Sequence, residues 1–275
     1  MQPLTIDLEV DRGTDQLAVR FHESPDAKTV AVVFPAMGVP ASYYDRLATT
    51  LVEAGIAVAV ADLRGTGASR PKASRASRYG YHELAEDVGA VLEALAAQRE
   101  GRRTVLLGHS LGGQACVMHL ARSPKGVDGL ILIAVGLPFW RVYGKQKVGV
   151  FAYTQSIAAL TWMFRYWPGW SFGGRQAHGV IRDWGHTGRH GVFPPHLGVE
   201  EKLGEITVPV LAISVDDDQY TPPPATDHLV AKLSCALVQR RHLSRADVDV
   251  ALDHFKWVKA GPPLATKITD WPATF

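Results

Sequence analysis

The apolar positions of this chain follow two alternating periods. Leu4 to Val10 and Leu17 to His22 carry apolar residues at every second position around an Asp-Arg-Gly-Thr-Asp cluster, which predicts an antiparallel hairpin. Thr29 to Phe34 is a continuous apolar run of the kind buried on both faces of a sheet. Ser42 to Ala54 then sets Leu47, Leu51 and Val52 at helical spacing and stops at Gly55. The exchange recurs downstream. Strands are predicted over Ile56 to Leu63, Arg103 to Leu107, Val127 to Ala134, Val208 to Val215 and Ala236 to Arg241, and helices over His82 to Gln98, Leu111 to Arg122 and Ala225 to Leu233. Strands joined by such long crossovers imply βαβ units. The expected fold class is therefore α/β, a mostly parallel central sheet with helices on both faces.

The rhythm breaks from residue 137 to residue 200, after the sixth predicted strand. That segment holds 13 of the aromatic residues, and its seven Lys or Arg face only Asp183 and Glu200. The whole chain has 29 Lys or Arg and 27 Asp or Glu, so a local charge of +5 leaves −3 for the rest. We read 137–200 as a helical cap over the carboxyl ends of the strands, where such sheets place their ligands, and 1–136 with 201–275 as the core.

Composition narrows the function classes. With 47% apolar and 20% charged residues the chain can bury a large core, and a net charge of +2 offers no overall field for nucleic acid or an anionic membrane. Cys116 and Cys235 have no CxxC spacing, which predicts free, buried thiols in a reducing compartment. Asp7 and Glu9 stand where a signal peptide would be apolar, and no window reaches the roughly 18 apolar residues of a membrane span, so a cytoplasmic chain is expected. The expected partner is a small-molecule substrate, without nucleic acid or membrane span; a homodimer is left open. No cofactor is expected. Nor is a metal, because His178, His186, His190 and His196 lack the cysteine or carboxylate company of a known ligand spacing.

The strongest chemical signal is Gly108-His109-Ser110-Leu111-Gly112-Gly113, placed directly between a predicted strand and a predicted helix. A serine on so sharp a turn needs small neighbours two residues to either side, because a Cβ there would collide as the helix folds back on the strand. Such a turn lifts the Ser110 hydroxyl above the sheet and gives it the backbone N–H of Leu111 and the positive end of a helix. The second oxyanion donor is expected after the third strand, in Phe34-Pro35-Ala36-Met37-Gly38, from Met37. His109 is expected to be structural, packed beneath the turn.

With a nucleophile in this place, an acid should follow the strand after the cap and a histidine should come last. The strand ends in Asp216-Asp217-Asp218, and Asp218, nearest the Pro222-Pro223-Pro224 helix start, is best placed to aim back over the sheet, with Asp217 next. His242 and His254 both lie beyond the last predicted strand, and spacing leaves both open as the base. Phe255 and Trp257 suit a packed imidazole at His254, whereas Arg240 and Arg241 would lower the basicity of His242. Trp162, Tyr166 and Trp167 are the candidate substrate contacts, the competing reading being that they bind the cap helices to the core.

With Ser110, Asp218 and His254 in that order, and Asp62-Leu63-Arg64-Gly65-Thr66-Gly67-Ala68-Ser69 after the fourth strand, the chain resembles the α/β-hydrolase superfamily over nearly its whole length. Phe34 to Tyr44 and Tyr166 to Gly174 look like a bacterial group of α/β-hydrolases of poorly defined substrate. In that group a Gly-His-Phe-Gly-Phe-Phe-Arg type segment supplies the base, and its counterpart here is Asp253 to Lys259. The resemblance thus implies His254 rather than His242. Asp253 and Lys256 depart from the glycines of that pattern, which sets Asp253 beside the imidazole as a competitor of Asp218. The implied activity is a serine hydrolase of carboxylic esters or thioesters acting through an acyl-enzyme, with an apolar or aromatic acyl group. An acyltransferase or biosynthetic lyase or cyclase on the same residues, or a non-catalytic binding protein, are the alternatives.

Overall fold

The computed structural model describes residues 5–272. Residues 1–4, including the Leu4 that opens the first predicted strand, lie outside the described residues. The strands are β1 (Thr5–Arg12), β2 (Asp15–His22), β3 (Thr29–Phe34), β4 (Ala57–Ala61), β5 (Arg103–His109), β6 (Gly129–Ile133), β7 (Tyr166–Trp167), β8 (Gln176–Ala177), β9 (Val210–Val215) and β10 (Val238–Leu243). The helices are α1 (Asp45–Glu53), α2 (Tyr81–Ala94), α3 (Ala96–Arg99), α4 (Leu111–Leu120), α5 (Lys147–Phe164), α6 (His178–His190), α7 (Pro223–Val230) and α8 (Pro262–Thr269).

Eight strands form one sheet in the order β1-β2-β4-β3-β5-β6-β9-β10. The β1–β2 hairpin pairs antiparallel, also where β2 meets β4, and the remaining neighbours are parallel. This is the mostly parallel sheet that the alternation of periods predicts. Along β3, Val30, Val32 and Phe34 point to one face and Ala31 and Val33 to the other, and all five are buried. Leu47 and Leu51 of α1 with Leu264 and Ile268 of α8 cover one face. Leu84 and Val88 of α2, Val117 of α4 and Leu229 of α7 cover the other. Each such side chain, fully withdrawn from water, contributes about 1.5–3 kcal/mol before the entropy of ordering it.

Some boundaries shift for physical reasons. The predicted helix 42–54 begins with a 3-10 turn, Ala41–Tyr44, before α1. The predicted helix 82–98 breaks at Leu95 into α2 and α3. β10 runs through His242 instead of ending at Arg241, because an edge strand tolerates the polar run Gln239-Arg240-Arg241-His242. Cys116 is buried in α4, whereas Cys235, expected to be buried too, is exposed.

The Asp62 to Ser69 run proves to be a brace. Asp62 accepts the backbone N–H of Ala41 and of Ala68, each at 2.6 Å, and burial raises its carboxyl above the usual range despite those donors. Arg64 is buried between Asp87 of α2 and Asp15 of β2. Together they fix the loop after β4 to the 3-10 turn and to α2.

Between β6 and β9 the chain leaves the sheet. α5 packs on α6, where Gly185 and Gly188 allow close approach to Ala158 and Thr154, and Gln155 donates to the Gly185 carbonyl. The β7–β8 ribbon lies between these two helices in sequence. No helix among the described residues is long and apolar enough to cross a membrane.

Candidate active site

Ser110 stands between β5 and α4 with φ 52° and ψ −119°, a conformation an L-residue holds only at a cost of order 1–3 kcal/mol. The glycines around it are explained by contact. A Cβ on Gly108 would lie 2.2 Å from the Gly113 Cα, and one on Gly112 would lie 2.1 Å from the Phe34 carbonyl oxygen. The second contact also sets the loop after β3 against the first turn of α4. Met37 and Leu111 are both buried there, and the roles expected of them are backbone ones.

That loop is held from its far side as well. A Cβ on Gly38, whose φ is +75°, would lie 2.1 Å from the carbonyl oxygen of Gly173, in the turn of the β7–β8 ribbon. Gln176 and Trp167 fix the turn by donating to the Gly173 and Phe172 carbonyls, both at 2.7 Å.

His254 lies in the loop after β10 and is buried. Its Nδ1–H donates to Asp218 Oδ2 at 2.9 Å, with Oδ1 at 3.0 Å, which leaves Nε2 as the nitrogen able to accept a proton. Asp218 is itself buried. Its Oδ1 accepts the N–H groups of Tyr220 (2.9 Å) and Thr221 (2.8 Å), and its Oδ2 accepts the Thr221 hydroxyl (2.6 Å). A buried carboxylate so fully donated to has no rotational freedom left. Sequence reading passed over Thr221; a hydroxyl three residues beyond an Asp at a turn was the available signal.

The three consecutive aspartates separate because Asp217 adopts φ +60°, a left-handed turn that aspartate tolerates. Asp216 pairs with Nε2 of His242 at 2.9 Å, and His242 Nδ1 meets the Ser214 hydroxyl at 2.8 Å. Asp217 pairs with Arg245. Asp253 accepts the N–H groups of Phe255 and Lys256 and pairs with the Lys256 ammonium, so it is engaged away from the imidazole.

His109 is wholly buried under Ser110, and burial first, then the neighbouring His254, pushes its pKa well below the ordinary value. The Tyr44 hydroxyl accepts the N–H of Ala36 at 2.9 Å and donates to His109 Nδ1 at 2.7 Å, and the His109 ring in turn bonds to the His254 backbone. One chain of hydrogen bonds thus joins the loop after β3 to the loop carrying His254. His22 and His119 are also buried with lowered pKa values, burial being the main cause. The unfolded chain protonates such groups below about pH 6.5 while the folded chain does not, so their stabilisation is full above that pH and is lost as pH falls. His109, the most deeply buried of the three, is expected to carry the largest share of that loss. Urea midpoints measured from pH 7.5 to 5.0 should fall accordingly, and a flat profile contradicts the neutral assignment.

Ser110 and His254 line the same cavity, of about 690 Å³, within the range of small-molecule sites. Its walls include Tyr143, Tyr153, Phe172, Trp184 and Tyr220. Phe172 stacks on Tyr220 (centroids 5.6 Å apart) and lies 5.2 Å from Trp184, and Tyr220 lies 5.1 Å from the His254 ring. The aromatics expected to touch substrate are elsewhere. Trp162 is exposed beside a second cavity, Trp167 is buried with its indole bonded to Phe172, and Tyr166 lies under the Arg175 guanidinium.

Comparison with known proteins agrees with this architecture. Residues 25–187 match the family described as Serine aminopeptidase, S33; the match includes Ser110 and ends before Asp218 and His254. Over 86 residues the chain is 33% identical to Probable esterase PIR7A of rice, Oryza sativa subsp. indica, covering 29% of this chain and 33% of that protein. The chain thus spans about a third of that relative's length. Over 222 residues it is 26% identical to RutD of Variovorax paradoxus (strain S110), a candidate carbamate hydrolase, covering 73% and 78% of the two chains. A thioesterase domain from the curacin biosynthetic pathway superposes with a TM-score of 0.64 at 18% identity, over 97% of this chain and 99% of that one, which shows the common fold. Because the matched segment spans more than half of its length, the chain belongs to the Serine aminopeptidase, S33 family and has the α/β-hydrolase fold.

Proposed function

We propose that this enzyme hydrolyses carboxylic esters or thioesters through an acyl-enzyme on Ser110, with His254 as general base and Asp218 as its orienting acid. The observation that carries the reading is the shared cavity: Ser110 and His254 line it together, while Asp218 sits buried behind the imidazole. In this mechanism His254 Nε2 takes the Ser110 proton as Oγ bonds to the acyl carbon. The backbone N–H groups of Met37 and Leu111 hold the oxyanion, each such donor being worth ~10²–10³ in rate. His254 then gives its proton to the departing alcohol or thiol, and a water activated by the same nitrogen releases the acid.

Five aromatic walls support an apolar or aromatic acyl group, and Lys145 is the lining residue with a fixed charge among those described. Residues 137–200 would act as the cap, since α5 supplies Gly149, Val150, Tyr153 and Thr154 to the same cavity. The test is a fluorophosphonate probe on folded protein, with the labelled peptide identified by mass spectrometry. The expected adduct is on Ser110. Absence of labelling overturns the acyl-enzyme reading. A series of p-nitrophenyl esters of rising chain length, then acyl thioesters, ranks the acyl group; added alcohol should not divert the product from acid to ester.

A further inference from the structure

A helix packed on a globular protein normally shows charged residues on its outer face. α5 does not. From Val148 to Phe164 it has no charged residue, yet its outer side is in water: Val148 is 67% exposed and Met163 59%, with Ala152, Ser156 and Leu160 on the stretch between. Trp162, at 74%, and Trp170, at 65%, are exposed beside its C-terminal end. The charge flanking the helix along the chain is of one sign. Between Asp128 and Asp183 the sequence has no acidic residue, while Lys145 and Lys147 bracket the start of the helix and Arg165 and Arg175 its end, all four exposed. At that end Trp162 and Arg165 also line a second cavity, of about 560 Å³, shared by Arg78 and Arg182 and by the acids Glu83 and Asp183, the latter buried and paired with Arg182. Among the described residues the Arg78 guanidinium bonds to backbone carbonyls, those of Arg75 and Ser77.

We propose that this face of the cap docks on an anionic lipid surface, with the apolar side of α5 and the two tryptophans entering the headgroup region and the basic residues meeting lipid phosphates. Apolar residues flanked by Lys and Arg, with tryptophan at the boundary, are what a helix lying in a membrane interface requires. A second copy of this chain is the poorer occupant, because pairing two such faces would bring Lys145, Lys147, Arg165 and Arg175 against their own like charges. The first half of α5 lines the cavity holding Ser110 with Gly149, Val150, Tyr153 and Thr154, so docking would bring that cavity up to the lipid surface. The inference concerns binding alone and stands whether or not the acyl-enzyme reading does.

The test uses the full chain and vesicles. Co-sedimentation with phosphatidylglycerol vesicles is expected at least about tenfold tighter than with phosphatidylcholine vesicles at low salt, and lost at 0.5 M NaCl. Of the seven tryptophans, Trp162 and Trp170 are the exposed ones among the described residues, so brominated phosphatidylglycerol should quench part of the fluorescence. The double variant L160D/M163D should abolish sedimentation while turnover of a soluble short-chain ester is unchanged. The single, charge-neutral M163S should weaken binding without loss of folding. No binding to phosphatidylglycerol at low salt, binding untouched in both variants, or a concentration-dependent dimer that L160D/M163D dissolves would each overturn the proposal.

Discussion

Ser110→Ala is expected to lower kcat on a soluble p-nitrophenyl ester by on the order of 10⁶, the scale at which loss of a serine nucleophile removes the covalent route entirely. The variant should fold normally. Ser110 makes the turn through its backbone, at φ 52°, and alanine is no less able than serine to hold that strain, while the glycines that admit the close approach of α4 to β3 are untouched. What remains should be the small background of binding and oxyanion stabilisation. Circular dichroism and a urea midpoint equal to those of the parent would assign the loss to chemistry. A Ser110→Ala enzyme that kept more than about a hundredth of parental turnover would remove Ser110 from the mechanism, since no lesser role accounts for so weak an effect.

Asp218→Asn should cost about 10⁴ in kcat, although it changes no atom in contact with substrate. The reason lies in how the carboxylate is held. Oδ1 is pinned by the N–H groups of Tyr220 and Thr221, so the asparagine carbonyl must take that place and the amide NH₂ must replace Oδ2. That NH₂ then faces His254 Nδ1, which can only accept from it, and the imidazole proton moves to Nε2, the atom that has to accept from Ser110. Asp216→Asn and Asp217→Asn weaken exposed contacts, those of Asp216 with His242 and the Arg245 N–H and that of Asp217 with the Arg245 guanidinium, each pair worth ~1 kcal/mol or less, and should leave kcat within about twofold. A larger loss from Asp216→Asn than from Asp218→Asn would transfer the acid role to the pair with His242.

These two outcomes mark where sequence reading stops. The sheet was legible because a strand buried on both faces admits little but Val, Ala, Ile and Leu, as β3, β4 and β6 show. The Ser110 turn was legible because backbone crowding leaves only glycine at 108 and 112. Three aspartates in a row were not separable by pattern, since their fates hang on one left-handed residue, Asp217, and on a polar edge strand that runs two residues past Arg241 and so carries His242. The cavity walls were illegible for another reason. Tyr153 and Trp162 share α5, and which of them faces the site depends on how that helix seats on α6, a tertiary fact with no trace in local composition.

The backbone contact between Gly38 and Gly173 makes the region after β6 less separable than its insertion in the chain suggests. The loop proposed to hold the oxyanion rests on a ribbon turn encoded more than a hundred residues later, so exchanging residues 137–200 between relatives would transplant part of the catalytic geometry along with the specificity. A graft that brought a bulkier turn would have to displace Met37, and would fail on ester and thioester alike. Chimeras of this enzyme should therefore be designed with Gly38 and the Gly169 to Gly174 turn as one cassette, taken from the same parent.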